Sequence, residues 1–306
     1  MTSENMRGAT LMMLCMAGYG INDALIKLAG EAVSLPQAIF FRGLVATSLL
    51  VLLAWRKGAF RKAVGRRDRR ILVFRIIGEV GGTYCFLQAL FNMPIANATA
   101  ILQSLPLAVA LAGAVFLGER VGWRRYSAIL VGFAGVMIIV RPGLQGFDAH
   151  AFWALAAVGF IVLRDLLTRQ LSSDVPSVLA AMITAAVITT MGAVMLPFYE
   201  WKPLQAAPLG FLAVGACFLI GGYLFSISAM RTGDVGFVSP FRYTILIWAI
   251  LTGIIIFGHV PDVLTFAGAA IVVATGIYTF YREQKVGRRA AQAMAPAQPE
   301  GLRKFR

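Results

Sequence analysis

The chain has 306 residues, 59% of them apolar and only 14% charged, with a mean hydropathy of +0.77 and a formal net charge of +14. A water-soluble domain of this length would carry about a quarter charged residues, so a soluble enzyme and a disordered chain are both excluded. What the composition leaves is a polytopic membrane protein, all-α because its apolar residues come in long unbroken runs. A membrane-crossing helix needs about 20 mostly apolar residues. In chain order such stretches fall near 8–29, 35–55, 71–91, 94–117, 123–140, 150–170, 177–197, 208–230, 234–257 and 262–281. The separators carry turn chemistry, as in Ser34-Leu35-Pro36, Asn92-Met93-Pro94, Arg141-Pro142-Gly143, Asp174-Val175-Pro176 and Gly258-His259-Val260-Pro261.

Position explains the basic charge better than nucleic acid does. Eight of the 28 Lys and Arg lie between Arg56 and Arg70, and seven lie beyond Tyr281. With the N-terminus inside, the cytoplasmic segments hold 22 of the 28, including Arg164 and Arg169, and the other side holds only Arg141 and Lys202. The positive-inside rule then puts both termini in the cytoplasm, in a cell inner membrane. Nothing calls for a cleaved signal peptide, since only Arg7 precedes the first apolar run and no small-residue cleavage site follows it. Beyond Gly287 the chain reads as a polar tail with too little apolar content to fold. Cys15, Cys85 and Cys217 are far apart in apolar runs and read as buried packing residues.

Sliding the chain by 140 residues superimposes Leu72 on Leu212, Gly81-Gly82 on Gly221-Gly222, Ala89 on Ala229, Leu111 on Leu251, Gly113 on Gly253 and Gly118 on Gly258. At a shift of 142, Asp23-x-x-x-Lys27 lies over Asp165-x-x-x-Arg169. Each repeat would hold five spans, an odd number, so the second enters the membrane upside down. The expected organisation is an N-terminus at 1–7, a five-helix repeat at 8–140, an inverted five-helix repeat at 150–282 and a basic tail at 283–306. Inverted repeats of this kind are a transporter architecture, with the halves rocking around a shared site.

These residues resemble the drug/metabolite transporter superfamily, EamA type. The resemblance covers roughly residues 8–282 and rests on Phe40-Phe41-Arg42, on Pro106 through Leu117-Gly118-Glu119-Arg120, and on Gly132-Phe133-Ala134-Gly135-Val136. In the second half it rests on Pro240-Phe241-Arg242-Tyr243 and Phe257-Gly258-His259-Val260-Pro261. His259 departs from the family, which usually has Glu there. The resemblance implies a ten-helix carrier whose first, third, fourth, sixth, eighth and ninth helices surround a central cavity.

No catalytic or metal motif appears: His150 and His259 are at separate helix ends, and there is no phosphate loop or nucleophile elbow. The glycines read as close helix contacts, for example Gly78-x-x-x-Gly82. Charges inside spans are costly and so informative. Asp23 with Lys27, and Arg75 with Glu79, are spaced to pair on one helix, and Glu79 is the deeper carboxylate for a proton or a cationic group. Arg42 is expected to pair across helices. Arg242, beside Tyr243 and the kink-forming Pro240, either contacts substrate or forms a buried ion pair with Glu79 or Asp23. Its counterparts in span four are Leu102 and Gln103, followed by Ser104 and the kink-forming Pro106. Together with Tyr84, Gln88 and Tyr223 these residues predict a polar, largely uncharged lining suited to a small organic solute, with a slight lean toward an anion.

The expected function is a secondary transporter of a small organic metabolite working by alternating access, with no cofactor and no enzymatic activity. Importers of S-adenosylmethionine or riboflavin-like solutes and exporters of amino acids or drugs stay open within that class. Outside it stand a membrane enzyme, for which no clustered His, Asp or Ser is visible, and a non-transporting interaction or sensory protein. The expected partners are a small-molecule substrate and membrane lipid, with no nucleic acid; a homodimer stays open.

Overall fold

The computed structural model describes residues 3–61, 65–118, 122–142, 148–172, 175–232 and 234–294, and no strand occurs among them. Ten helical spans are long and apolar enough to cross a membrane, in the order expected from the sequence. They are built from twelve α-helices: α1 (Ser3–Gly30), α2 (Leu35–Arg56), α3 (Arg66–Asn92), α4 (Ile95–Leu102), α5 (Leu105–Phe116), α6 (Trp123–Val140), α7 (Ala151–Arg169), α8 (Ser177–Met195), α9 (Ala206–Thr232), α10 (Val235–Val238), α11 (Ile245–Phe257) and α12 (Val263–Met294). Span four is two helices, α4 and α5. Span nine is a 3-10 helix, Ser239–Thr244, running into α11.

Local chemistry sets the ends. At the start of α2 the Ser34 amide donates to Gln37 Oε1 at 2.8 Å, half of a capping box, and Pro36 occupies the first turn where no N–H is needed. Gly258 stops α11 with φ of 65°, and His259 N–H donates to Gly253 O at 2.9 Å, a left-handed cap open to a glycine. Gly118, 140 residues earlier, has φ of 66° at the end of span four. One expectation is overturned at the C-terminus. α12 continues past residue 281 to Met294, because the chain from Arg282 onward holds no proline before 296 and several good helix formers. Residues 295–306, and Glu119-Arg120 of the family motif, lie outside the described residues.

Helices cannot be drawn together in hydrocarbon by burial from water, so close contact between small residues takes over. A Cβ on Gly78 would sit 2.8 Å from Phe160 O and Arg164 N, and one on Gly82 would sit 2.9 Å from Ile161, which places the Gly78/Gly82 stripe against α7. The most extensive pairings are α1 with α9, α3 with α7, α2 with α8, and α6 with α12. Exchanging each span with the one five places on turns the first two pairs into each other and the last two into themselves. That set of partners agrees with two related five-helix units. Large apolar side chains such as Phe116, Leu130, Ile255 and Val263 point outward, an exterior suited to lipid rather than water. Cys15 and Cys85 are buried as expected, whereas Cys217 is exposed on α9, so its thiol is on the outer surface and does not fill a core gap.

Candidate functional site

Spans four and nine are both interrupted, at positions about 140 residues apart. After α4, Gln103 and Ser104 carry the chain into α5, where Pro106 in the first turn contributes no N–H. Ser104 Oγ donates back to Ile101 O at 2.7 Å and satisfies one of the carbonyls that the break releases. In span nine the break is the 3-10 helix 239–244, begun by Ser239-Pro240, and Thr244 Oγ1 donates to Phe241 O at 2.7 Å. Shifted by 140, residues 239–244 fall on 99–104. The prolines themselves are not equivalent, since Pro240 opens its irregular segment and Pro106 follows the other. Irregular backbone within a span is tolerated where it lines a cavity.

A cavity of about 350 Å³ lies at these two breaks. Gln103, Pro106 and Arg242 line it from spans four and nine, and Arg164, Asp165 and Arg169 from α7. Arg125 of α6 and Phe280 of α12 complete the wall, so the peripheral helices contribute as well as the expected central ones. Arg242 is exposed and, among the described residues, makes neither a hydrogen bond nor an ion pair. The expected alternative, a buried pair with Glu79 or Asp23, is therefore absent. Tyr243 borders the cavity but is only 5% exposed. Its ring lies 6.4 Å from that of Phe280, and a Cβ on Gly276 would come 1.6 Å from its hydroxyl. That hydroxyl has no hydrogen-bond partner among the described residues, so Tyr243 is a wedge against α12. Ser104 is buried and bonded to its own helix; it does not line the cavity.

Beside the cavity is an ionic network. The expected Arg75–Glu79 pair forms at 3.2 Å. Glu79 also meets Arg164 at 3.3 Å, and Arg164 donates to Asp165 at 2.8 Å. Arg75 donates to Thr168 Oγ1 at 2.9 Å and to Thr184 Oγ1 at 2.6 Å, so α3, α7 and α8 are tied together. Arg75 is thus held by named partners and does not snorkel. Glu79 lies between two guanidiniums that hold it in place. Arg164 and Asp165 were not singled out as site residues from the sequence. Arg164 lies close enough to the end of its span to read as one more basic loop residue, and only its i+1 carboxylate hinted at an internal partner.

Asp23 and Lys27 do not pair. Lys27 Nζ donates to Leu90 O at 2.6 Å and Met93 O at 2.8 Å, and lies 5.5 Å from the Phe257 ring centroid. An ammonium on the carbonyls that end α3 also meets the negative pole of that helix, which outweighs a carboxylate one turn away. Asp23 accepts instead from Asn22 Nδ2 at 2.9 Å and has Arg42 of α2 within electrostatic reach. Arg42 is thus paired across helices in the loose sense, with no direct contact.

The rest of the expected lining is dispersed. Gln88 donates to the Tyr84 hydroxyl at 3.0 Å, which lies 3.3 Å from the Tyr199 hydroxyl at the opposite end of the bundle from α7's last turn. Tyr223 lines a separate cavity of about 330 Å³ with Arg75 and Thr168, across the ionic network from the first. A larger crevice of about 690 Å³ between α11 and α12 has walls such as Leu246, Ile250, Phe266 and Val273 and no charged residue. It suits lipid chains and offers a polar solute nothing.

The chain is similar to known transport proteins. Residues 6–141 match the EamA-like transporter family. The chain is 27% identical over 93% of its length to a riboflavin transporter of Vibrio cholerae, covering 96% of that protein. It is 27% identical over 88% of its length to the pseudopaline exporter CntI of Pseudomonas aeruginosa, covering 94% of it. It is 24% identical over 92% to an S-adenosylmethionine uptake transporter of Rickettsia conorii, covering 95% of that chain. A solved crystal structure shares the fold with a TM-score of 0.62 at 19% identity, covering 91% of this chain and 98% of the other. The chain is a multi-pass membrane transporter, and its residues 6–141 are similar to the EamA-like transporter family.

Proposed function

We propose that the protein is a secondary carrier that moves a small organic metabolite across the inner membrane by alternating access, with residues 8–140 and 150–282 as inverted repeats. The observation that carries this reading is the paired interruption of spans four and nine, with a cavity at the break. Broken helices at corresponding positions of two halves are the pattern that marks the binding site of inverted-repeat carriers. In this reading Arg242 and Gln103 hold the solute, and Tyr243 with Gly276 supports the wall. The 1–7 segment, the 56–70 loop and the 283–306 tail face the cytoplasm. Their side is also the side on which Arg125, Arg164 and Arg169 ring the cavity mouth, so the conformation is open inward.

The test is uptake and counterflow in liposomes holding the purified protein, against a panel that includes riboflavin, S-adenosylmethionine and amino acids. Saturable, protein-dependent movement of at least one solute, lost in Arg242→Ala, is expected. Movement that survives intact in a well-folded Arg242→Ala protein would place the solute elsewhere.

A further inference from the structure

Resting on the carrier reading above, we propose that Asp23 and Arg42 form a second contact point for the solute, which recognises an aminocarboxylate head. Asp23 takes the ammonium and Arg42 the carboxylate. Asp23 stands seven residues before the end of α1, and Arg42 seven residues after the start of α2. At a helical rise of about 1.5 Å per residue, both lie about 10 Å inside the same end of the bundle. They are within electrostatic reach of each other, yet among the described residues no hydrogen bond or ion pair joins them. Opposite charges at such a depth gain most by direct contact, so a gap held between them is a place for a third group. Both sit deep among the helices and are only half-buried, so their accessible surface faces an internal space and not lipid.

The neighbouring groups leave both charges to a ligand. Lys27, one turn further along α1, is committed to the carbonyls of Leu90 and Met93 and does not neutralise Asp23. Asp23 accepts one hydrogen bond, from Asn22 Nδ2. Asn22 is only 2% exposed, and its Oδ1 has no partner among the described residues. The amide thus holds the carboxylate in place while its own acceptor goes unsatisfied, a destabilising arrangement that points to a use for the carboxylate. The planar fork of Arg42 is uncommitted among the described residues and matches a carboxylate. An ammonium and a carboxylate on one carbon complete both halves of the gap at once, whereas a lone cation or anion leaves one charge unmet. Tyr19, one turn before Asp23 on the same face of α1, is within electrostatic reach of Arg242. The body of the solute therefore extends from this pair toward the cavity at the helix breaks.

The test is thermal melting of the purified full-length protein with phenylalanine, methionine and glutamine, each beside the amine lacking its carboxylate and the acid lacking its ammonium. At least one amino acid is expected to raise the melting temperature, with both truncated counterparts at least about tenfold weaker, as loss of a close charge partner dictates. Arg42→Gln should remove the advantage over the amine, and Asp23→Asn the advantage over the acid. A merely structural role would not produce that opposite pattern. The double variant Asp23→Asn/Arg42→Gln strands neither charge, and should fold and lose the amino-acid response. Truncated counterparts that bind as well as the amino acid, no response to any of the three, or variants that weaken all ligands alike would overturn the proposal. Phosphatidylserine carries the same head, and the depth of the pair among the helices favours a soluble source. A response unchanged in phosphatidylcholine nanodiscs containing phosphatidylserine supports that choice, and its loss there overturns it. Amino-acid binding without uptake of any solute would break the carrier reading, and Arg242-dependent uptake without amino-acid binding would break the head-group assignment alone.

Discussion

The seam between α1 and α9 and the seam between α3 and α7 occupy equivalent places in the two halves, yet they are held by different chemistry. Both bring backbones close at glycine. A Cβ on Gly18 would lie 3.0 Å from Phe218 O and 3.4 Å from Gly222, and one on Gly78 would lie 2.8 Å from Phe160 O. The α1–α9 seam then relies on packing, with Met12, Cys15 and Ala229 buried around it and Asp23 met directly by Asn22 alone. The α3–α7 seam is latched by Arg75, Glu79, Arg164 and Asp165. Equivalent scaffold positions thus carry one seam that can re-pack at small cost and one that must break ion pairs to open.

The largest effect should come from the latch. Glu79→Ala leaves the partly buried Arg75 without a carboxylate, while Arg164 keeps Asp165, and should cost about 3–5 kcal/mol, read as a collapse of detergent-extracted yield and melting temperature. Arg75→Ala in the same background should recover part of the loss. Next come the glycines: Gly78→Ala forces the α3 and α7 backbones apart and should cost about 1–3 kcal/mol, with Gly18→Ala at or below the low end of that range. Equal melting shifts for the two would mean that the seams are equally tight. Asp23→Asn keeps its neighbour and loses only a charge without direct contact to Arg42, so less than about 1 kcal/mol is expected. A loss as large as that of Glu79→Ala would erase the contrast between the seams.

The smallest effect lies outside both. Asp262, before α12, is hydrogen-bonded by Arg141 at the end of α6, which holds its carboxyl down to about 2. A carboxyl whose folded value is depressed stabilises the fold above its ordinary value near 3.9 and loses that contribution as pH falls toward about 2. Because Asp262 is more than half exposed, Arg141→Ala should cost only a few tenths of a kcal/mol at neutral pH. The difference from wild type in melting scans should vanish across that acid window, with no change at either seam.

Much of the scaffold is legible in the sequence, because apolar run length and turn residues are one-dimensional signals. The ten spans and the caps at Gly118 and Gly258 follow from them. Site chemistry was legible only in part. Arg242, Gln103 and Pro106 converge as the repeat suggested, and Arg75–Glu79 is an i,i+4 contact that spacing alone predicts. Lys27 shows what spacing cannot give. Its partners are carbonyls more than sixty residues away, and carbonyls are present at every position, so no residue type announces them. Arg125, Arg164 and Arg169 were hidden by the loop-like pattern around them, although the structure gives them the cavity wall.

The most direct test of the carrier account is accumulation by proteoliposomes incubated with a small-metabolite extract, read by mass spectrometry for wild type, Arg242→Lys and Arg242→Ala. The account predicts protein-dependent accumulation of at least one solute by wild type. Arg242→Lys should retain part of it, and Arg242→Ala should lose at least about tenfold while keeping its helical content and monodispersity. Undiminished accumulation by a well-folded Arg242→Ala protein would contradict it.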